Sequence, residues 1–293
     1  MKRFKKILVN VLATLLLVVG CFGLSACKED IVKVKLNVSV YNYAEEDGAV
    51  IGQQNLTLTV DLYRHVAKNT VNKMIGYIND GYYNNAVFYE LESYPNQIML
   101  GDLVVKGTAG APELNEIKPQ ISGEFEKGGV SGSNLVAKKG SIGLWRTWTA
   151  YDNSYNESNQ TMHSGRATWF LPTNTASSTL SGYNGWFCIF AQFSLTGDNA
   201  KAFELIQKAL EENTTEYVVY YTGEYKENAP DENDGHGLEY HIVEADNFKE
   251  DEIEGLFEAK DAQQVCYNHH KVSVPTLAST GAVTAKITSA KVV

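Results

Sequence analysis

Cysteine is scarce in this chain, with four in 293 residues, and two of them, Cys21 and Cys27, lie at its apolar start. The other two, Cys188 and Cys266, allow one pair and no disulfide framework. Cys188 sits in an apolar run and reads as a small buried hydrophobe, with a Cys188–Cys266 bridge as the lesser reading. Positive charge is also short: 25 basic residues face 35 acidic ones, a net charge of −10. With no basic patch interleaved with aromatics, a nucleic-acid partner is not expected. Internal repeats and long low-complexity linkers are missing. Cys266, His269 and His270, with His236 and His241 upstream, lack a second Cys-x-x-Cys or a His-x-x-x-His. Adjacent histidines point to opposite sides of a strand, so surface histidines are expected rather than a metal site. His163, Ser164 and Asp152 come without a Gly-x-Ser-x-Gly elbow and read as a polar loop, not a hydrolase triad. Nothing signals a cofactor.

What is present is an ordinary globular composition, 44% hydrophobic and 20% charged, enough for a proper core. The first residues, MKRFKK, form a basic segment, followed by the apolar run ILVNVLATLLLVVGCFG, the pattern of an export signal. The segment Leu24-Ser25-Ala26-Cys27 resembles the lipobox of bacterial lipoproteins, and Val18-Val19-Gly20-Cys21 is a weaker second match. The resemblance implies cleavage after Ala26, a lipid on Cys27, a tether over 27–31 and an extracytoplasmic domain anchored to the membrane. Residues 1–26 hold four bases and no acid, so their loss leaves 21 basic against 35 acidic residues, or −14.

From Ile31, VKLNVSVYNY alternates apolar and polar residues, and NLTLTVDLY does so again after a polar Gly-containing connection, which predicts a hairpin. KNTVNKMIGYINDG predicts a helix, with Asn69 or Thr70 as cap, Val71, Met74, Ile75 and Ile78 on its apolar face, and Gly81 as stop. AVFYEL, NQIMLGDLVV, GSIGLWRT, RATWFLPT and WFCIFAQFS read as strands. A second helix over 198–213 takes Asp198 or Asn199 as cap and Ala202, Leu205, Ile206, Ala209 and Leu210 as its buried stripe. Residues 222–265 are acidic and poor in strand signals, and VTAKITSAKVV closes the chain as a strand. Many strands with two helices predict a mostly-β domain, a closed antiparallel barrel with two capping helices.

The ordered set hairpin, helix, Gly81-Tyr82-Tyr83-Asn84-Asn85, Phe88-Tyr89-Glu90, Met99-Leu100-Gly101-Asp102, GSIGLW, Ala167-Thr168-Trp169-Phe170-Leu171, GWFCIFAQF, helix and last strand resembles the cyclophilins. The likeness runs over 32–293, with an acidic insertion at about 213–275. It implies a peptidyl-prolyl cis-trans isomerase fold and proline-containing polypeptide clients, in the service of exported-protein folding. In that family an arginine donates toward the prolyl nitrogen in the twisted transition state, against an uncatalysed barrier of about 18–20 kcal/mol. By the resemblance Glu90 stands at that arginine, and an ionised carboxylate donates nothing. Asn96 and Gln97 replace an apolar floor, and Met99 and Thr168 replace two glutamines. Phe187 falls at a histidine, and Phe170 alone matches a ring-contacting residue. Arg146 is a candidate substitute donor, and Arg166 either a partner for Glu90 or a solvated edge charge.

Trp145, Trp148, Tyr151, Tyr155, Trp169, Tyr183 and Trp186 cluster around the pocket strands, as core or as a binding platform. The expected function is a cyclophilin-like isomerase lipoprotein with a degenerate, weakly active site. The alternatives are a non-catalytic, membrane-tethered peptide-binding or scaffold module, and an extracytoplasmic ligand-binding lipoprotein that uses the acidic segment.

Overall fold

The computed structural model describes residues 30–43, 49–92, 96–106, 110–125, 135–145, 165–174, 185, 187–223, 238–249 and 269–293. The strands are β1 (Ile31–Tyr43), β2 (Val50–Tyr63), β3 (Ala86–Leu91), β4 (Gln97–Val104), β5 (Glu113–Leu114), β6 (Ser141–Leu144), β7 (Trp169–Pro172), β8 (Cys188–Gln192), β9 (Thr214–Gly223), β10 (Leu238–Glu244), β11 (His269–Pro275) and β12 (Ala285–Val292). Two α-helices accompany them, α1 (Lys68–Asn79) and α2 (Gly197–Glu212).

Eight strands close on themselves in the order β3-β12-β1-β2-β8-β6-β7-β4, because β4 also pairs with β3. Every pairing is antiparallel. The fold is therefore mostly β, a closed eight-stranded antiparallel barrel with two helices, as the sequence predicts. Alternation supplies the reason. Val34, Leu36, Val38 and Val40 of β1 and Leu58, Val60 and Leu62 of β2 put one face inside. They join Phe88, Leu100, Ile142, Trp169, Leu171 and Phe190 in one core.

Helix α1 buries Val71, Met74, Tyr77 and Ile78, while Ile75 is half-buried. Helix α2 buries Ala202, Phe203, Ile206, Ala209 and Leu210, with Leu205 only half-buried. The expected caps are not the ones used. Neither helix has a capping bond from a side chain of its own N-cap residue, Ala67 or Thr196. Instead Glu124, far along the chain, accepts from the Asn69 N–H at 2.9 Å and the Thr70 N–H at 2.7 Å. Asn199 turns away from its helix and binds the backbone of Thr59, accepting from its N–H at 2.8 Å and donating to its carbonyl at 3.0 Å.

The acidic segment is less of an excursion than its composition suggests. β9, β10 and β11 form an antiparallel sheet that joins the barrel where Val272 and Ser273 pair with Leu91 and Glu90. This sheet curls back until β10 meets β5. A second apolar cluster lies on the outer face of the barrel between them: Val87, Tyr89, Met99, Leu103, Phe170, Phe187, Ile189, Tyr217, Val272 and Val274. Cys188 is a free, buried thiol on the inner side of β8, 3.6 Å from the Thr70 hydroxyl. Burial pushes its pKa up to about 12. The Cys188–Cys266 bridge is therefore not formed; Cys266, His236 and the lipobox residues Cys21 and Cys27 lie outside the described residues.

Candidate functional site

The face expected to bind peptide is the outer surface of β3, β4, β7, β6 and β8. Register brings its residues together: Tyr89 lies opposite Met99, Met99 opposite Phe170, and Gly143 opposite both Phe170 and Ile189. Gly143 is required here. A Cβ on it would stand 2.2 Å from the Phe170 ring, so the missing side chain is the space in which that ring lies. Phe170 packs edge-on to Phe187 at 5.4 Å and to Trp145 at 6.0 Å, and Trp145 stacks on Phe187 at 5.6 Å.

Polar groups at the margin are already engaged. The Asp102 carboxylate accepts from the Tyr89 hydroxyl at 3.0 Å and from the Thr168 hydroxyl. Burial pushes the Asp102 carboxyl up, against the pull of those two donors and of the nearby Arg166. Burial, with the Asp102 charge beside it, holds the Tyr89 phenol well above its ordinary value, so it stays a protonated donor. Arg166 donates from Nη1 to the Lys118 carbonyl at 2.7 Å. It is thus half-buried and bonded, not a solvated edge charge. Asn115 braces the neighbouring backbone, donating to the carbonyls of Tyr82 at 3.1 Å and Gly101 at 3.0 Å. Gly101, at φ +124, has no room for a Cβ, which would lie 2.7 Å from the Ala167 carbonyl oxygen.

Met99, Thr168, Phe170 and Phe187 are thus brought to one place, and Gln97 continues their side of β4. Glu90 is not there. Strand alternation turns it to the opposite face from Tyr89. On that side burial raises its carboxyl pKa, and the Glu211 carboxylate of α2 raises it further. Among the described residues no cation pairs with Glu90. The side chain of β3 that meets Met99 is Tyr89. The order of motifs sets Glu90 at the family's arginine as an expectation, and the face it takes follows from the unbroken alternation of Ala86, Val87, Phe88 and Tyr89 between the inner and outer clusters. Asn96 is also removed from the site, an exposed turn residue with φ 72 whose carbonyl accepts from the Thr173 N–H. Arg146 lies outside the described residues, as do Trp148, Tyr151, Tyr155, Tyr183 and Trp186.

The decisive property of this face is that it is covered. Met99 and Phe170 have no exposed surface, Phe187 has 2% and Tyr89 3%. Leu114, Leu135, Val219 and Ile242 pack against the same cluster, the last two from β9 and β10. A proline ring needs an open apolar floor, and here the floor is occupied by the protein's own second sheet. Sequence reasoning missed this sheet, although the β-branched and aromatic run TTEYVVYY of β9 and the alternation of LEYHIV in β10 carry the strand signal.

No family model matches the sequence, and no curated protein matches it. Similar solved structures include a cyclophilin-type peptidyl-prolyl cis-trans isomerase from Cryptosporidium parvum, 14% identical over 73% of this chain and 98% of that one, TM-score 0.36. The same type of protein in the presence of the dipeptide Ala-Pro is 15% identical over 71% and 95%, TM-score 0.33. A cyclophilin from Hirschia baltica is 11% identical over 58% and 68%, TM-score 0.29. At such identities the likeness concerns chain arrangement alone, and the closed barrel with two helices rests on the strand pairings themselves.

Proposed function

We propose that this chain is an extracytoplasmic lipoprotein whose cyclophilin-like barrel holds polypeptide clients with little or no peptidyl-prolyl isomerase activity. One observation carries the reading: the face on which isomerisation would take place is a packed core under β9–β11. Lowering a rotation barrier requires a fixed donor that meets charge only in the transition state. The donors on this face are committed, Tyr89 and Thr168 to Asp102 and Arg166 to Lys118.

The test is a proline-isomerisation assay on the protein and on two variants, Glu90→Arg and Tyr89→Arg. The expected result is a rate for the parent close to the uncatalysed one, and no gain from Glu90→Arg, because that side chain faces α2. Substantial acceleration by the parent would overturn the reading.

A further inference from the structure

Strand β2 is much longer than the neighbour on its outer side. It pairs with β1 along its length but with β8 at Asp61 and Leu62 only. The direction of its backbone groups follows from the ladder. Arg64 N–H donates to the Asp30 carbonyl at 2.9 Å, so even-numbered residues of β2 bond β1. Odd-numbered residues turn their N–H and C=O the other way. Asp61 meets β8, and Thr59 is met by the Asn199 side chain, which stands in for a strand at that rung. The next rungs, Thr57, Asn55 and Gln53, have no backbone partner among the described residues, and beyond them lies the bulge residue Ile51. Ile51 is 67% exposed, Gln53 and Asn55 are exposed, and Thr57 is half-buried.

An open edge of this kind is a template for another strand, and proteins normally blunt it with charge or proline. From Ala49 to Val60, AVIGQQNLTLTV holds neither. The six outward main-chain groups of Gln53, Asn55 and Thr57 span about 14 Å at ~3.4 Å per residue, or about 20 Å out to Ile51, and suit a strand of about six residues. The flanking Gln, Asn and Thr side chains select little beyond the extended backbone itself.

We propose that the edge of β2 from Ile51 to Thr57 captures an extended segment of an unfolded polypeptide by strand addition. This rests on the polypeptide-holding reading and gives it a surface, since the barrel face that would have held peptide is closed. Charge selects the occupant. A second copy brings another net charge of −10 against this one, whereas a neutral or cationic segment meets an uncharged edge without repulsion.

The experiment measures fluorescence anisotropy of a labelled, reduced and carboxamidomethylated hen lysozyme, a permanently unfolded cationic chain, titrated with the full protein. Proline at an edge position whose N–H faces outward is tolerated by a sheet, so Asn55→Pro deletes a docking donor while leaving the β1 ladder intact. Asn55→Lys adds an edge-blocking charge with no backbone change. The expected result is saturable binding by the parent, weakened at least fivefold in both variants, with unchanged thermal midpoints. Binding of equal strength in parent and variants overturns the edge proposal and leaves the holding function standing. No binding by the parent overturns both. A parent that sediments as a dimer, and a monomer in both variants, assigns the edge to a second copy and overturns the occupant proposed. The isomerisation assay reads the closed face independently.

Discussion

Glu90 shows how one carboxylate is set by its surroundings. It lies half-buried beside Glu211, and both burial and that second negative charge raise its pKa. A carboxyl whose folded value lies above its unfolded value favours folding fully at pH below the ordinary glutamate range of about 4.3. That contribution is lost as pH rises through the raised folded value. Glu90→Gln removes the titration, so the variant should gain thermal midpoint relative to the parent at pH 7 and gain less at pH 4. Thermal unfolding followed by circular dichroism at the two pH values checks this; equal shifts at both would show that neither burial nor Glu211 raises the Glu90 carboxyl in the folded protein. Tyr83 is the opposite case, a polar group made harmless by complete satisfaction. Its hydroxyl donates to the Ala167 carbonyl at 2.8 Å and its ring lies 4.6 Å from Trp169, deep in the barrel.

Elements here are tied by residues distant in sequence. Helix α1 starts without a cap of its own, and both oxygens of the buried Glu124 serve its first free N–H groups. Charge-assisted bonds at a helix N-terminus gain from the helix dipole as well. Glu124→Ala should therefore destabilise the protein by about 2 kcal/mol, the upper end for loss of a cap. Urea unfolding should show a lower midpoint with an unchanged slope, and Glu124→Gln, which keeps one acceptor, should fall between. The helix itself was legible, because Val71, Met74 and Ile78 repeat at helical spacing. Its cap was not, since Asn69 and Thr70 are good capping types and nothing local shows that a carboxylate 54 residues away takes the role.

At the scale of the whole molecule, a second sheet joins the barrel and shares a buried apolar cluster with its outer face. Met99, Phe170 and Phe187 could equally have lined an open groove, and β9, β10 and β11 make them a core. Attachment to a membrane belongs to this scale too. Under the lipoprotein reading, Cys27→Ser should move the protein from the membrane pellet to the soluble fraction of expressing cells, with no change in its far-ultraviolet spectrum. Continued sedimentation with membranes would mean that something other than Cys27 anchors it. Among the described residues no helix is long and apolar enough to cross a membrane.

By itself the sequence determined the barrel strands, both helices and the inward face of most of them, because alternation and helical spacing are local properties of which residues can share a buried side. It also placed Met99, Thr168, Phe170 and Phe187 on neighbouring strands. Only the tertiary structure decided that Tyr89 rather than Glu90 meets Met99, since the register of β3 against β4 fixes which side chains stand together. Only it decided that the face is covered and that the edge of β2 from Gln53 to Thr57 meets no strand among the described residues, because burial and pairing depend on chain segments more than a hundred residues apart meeting in space.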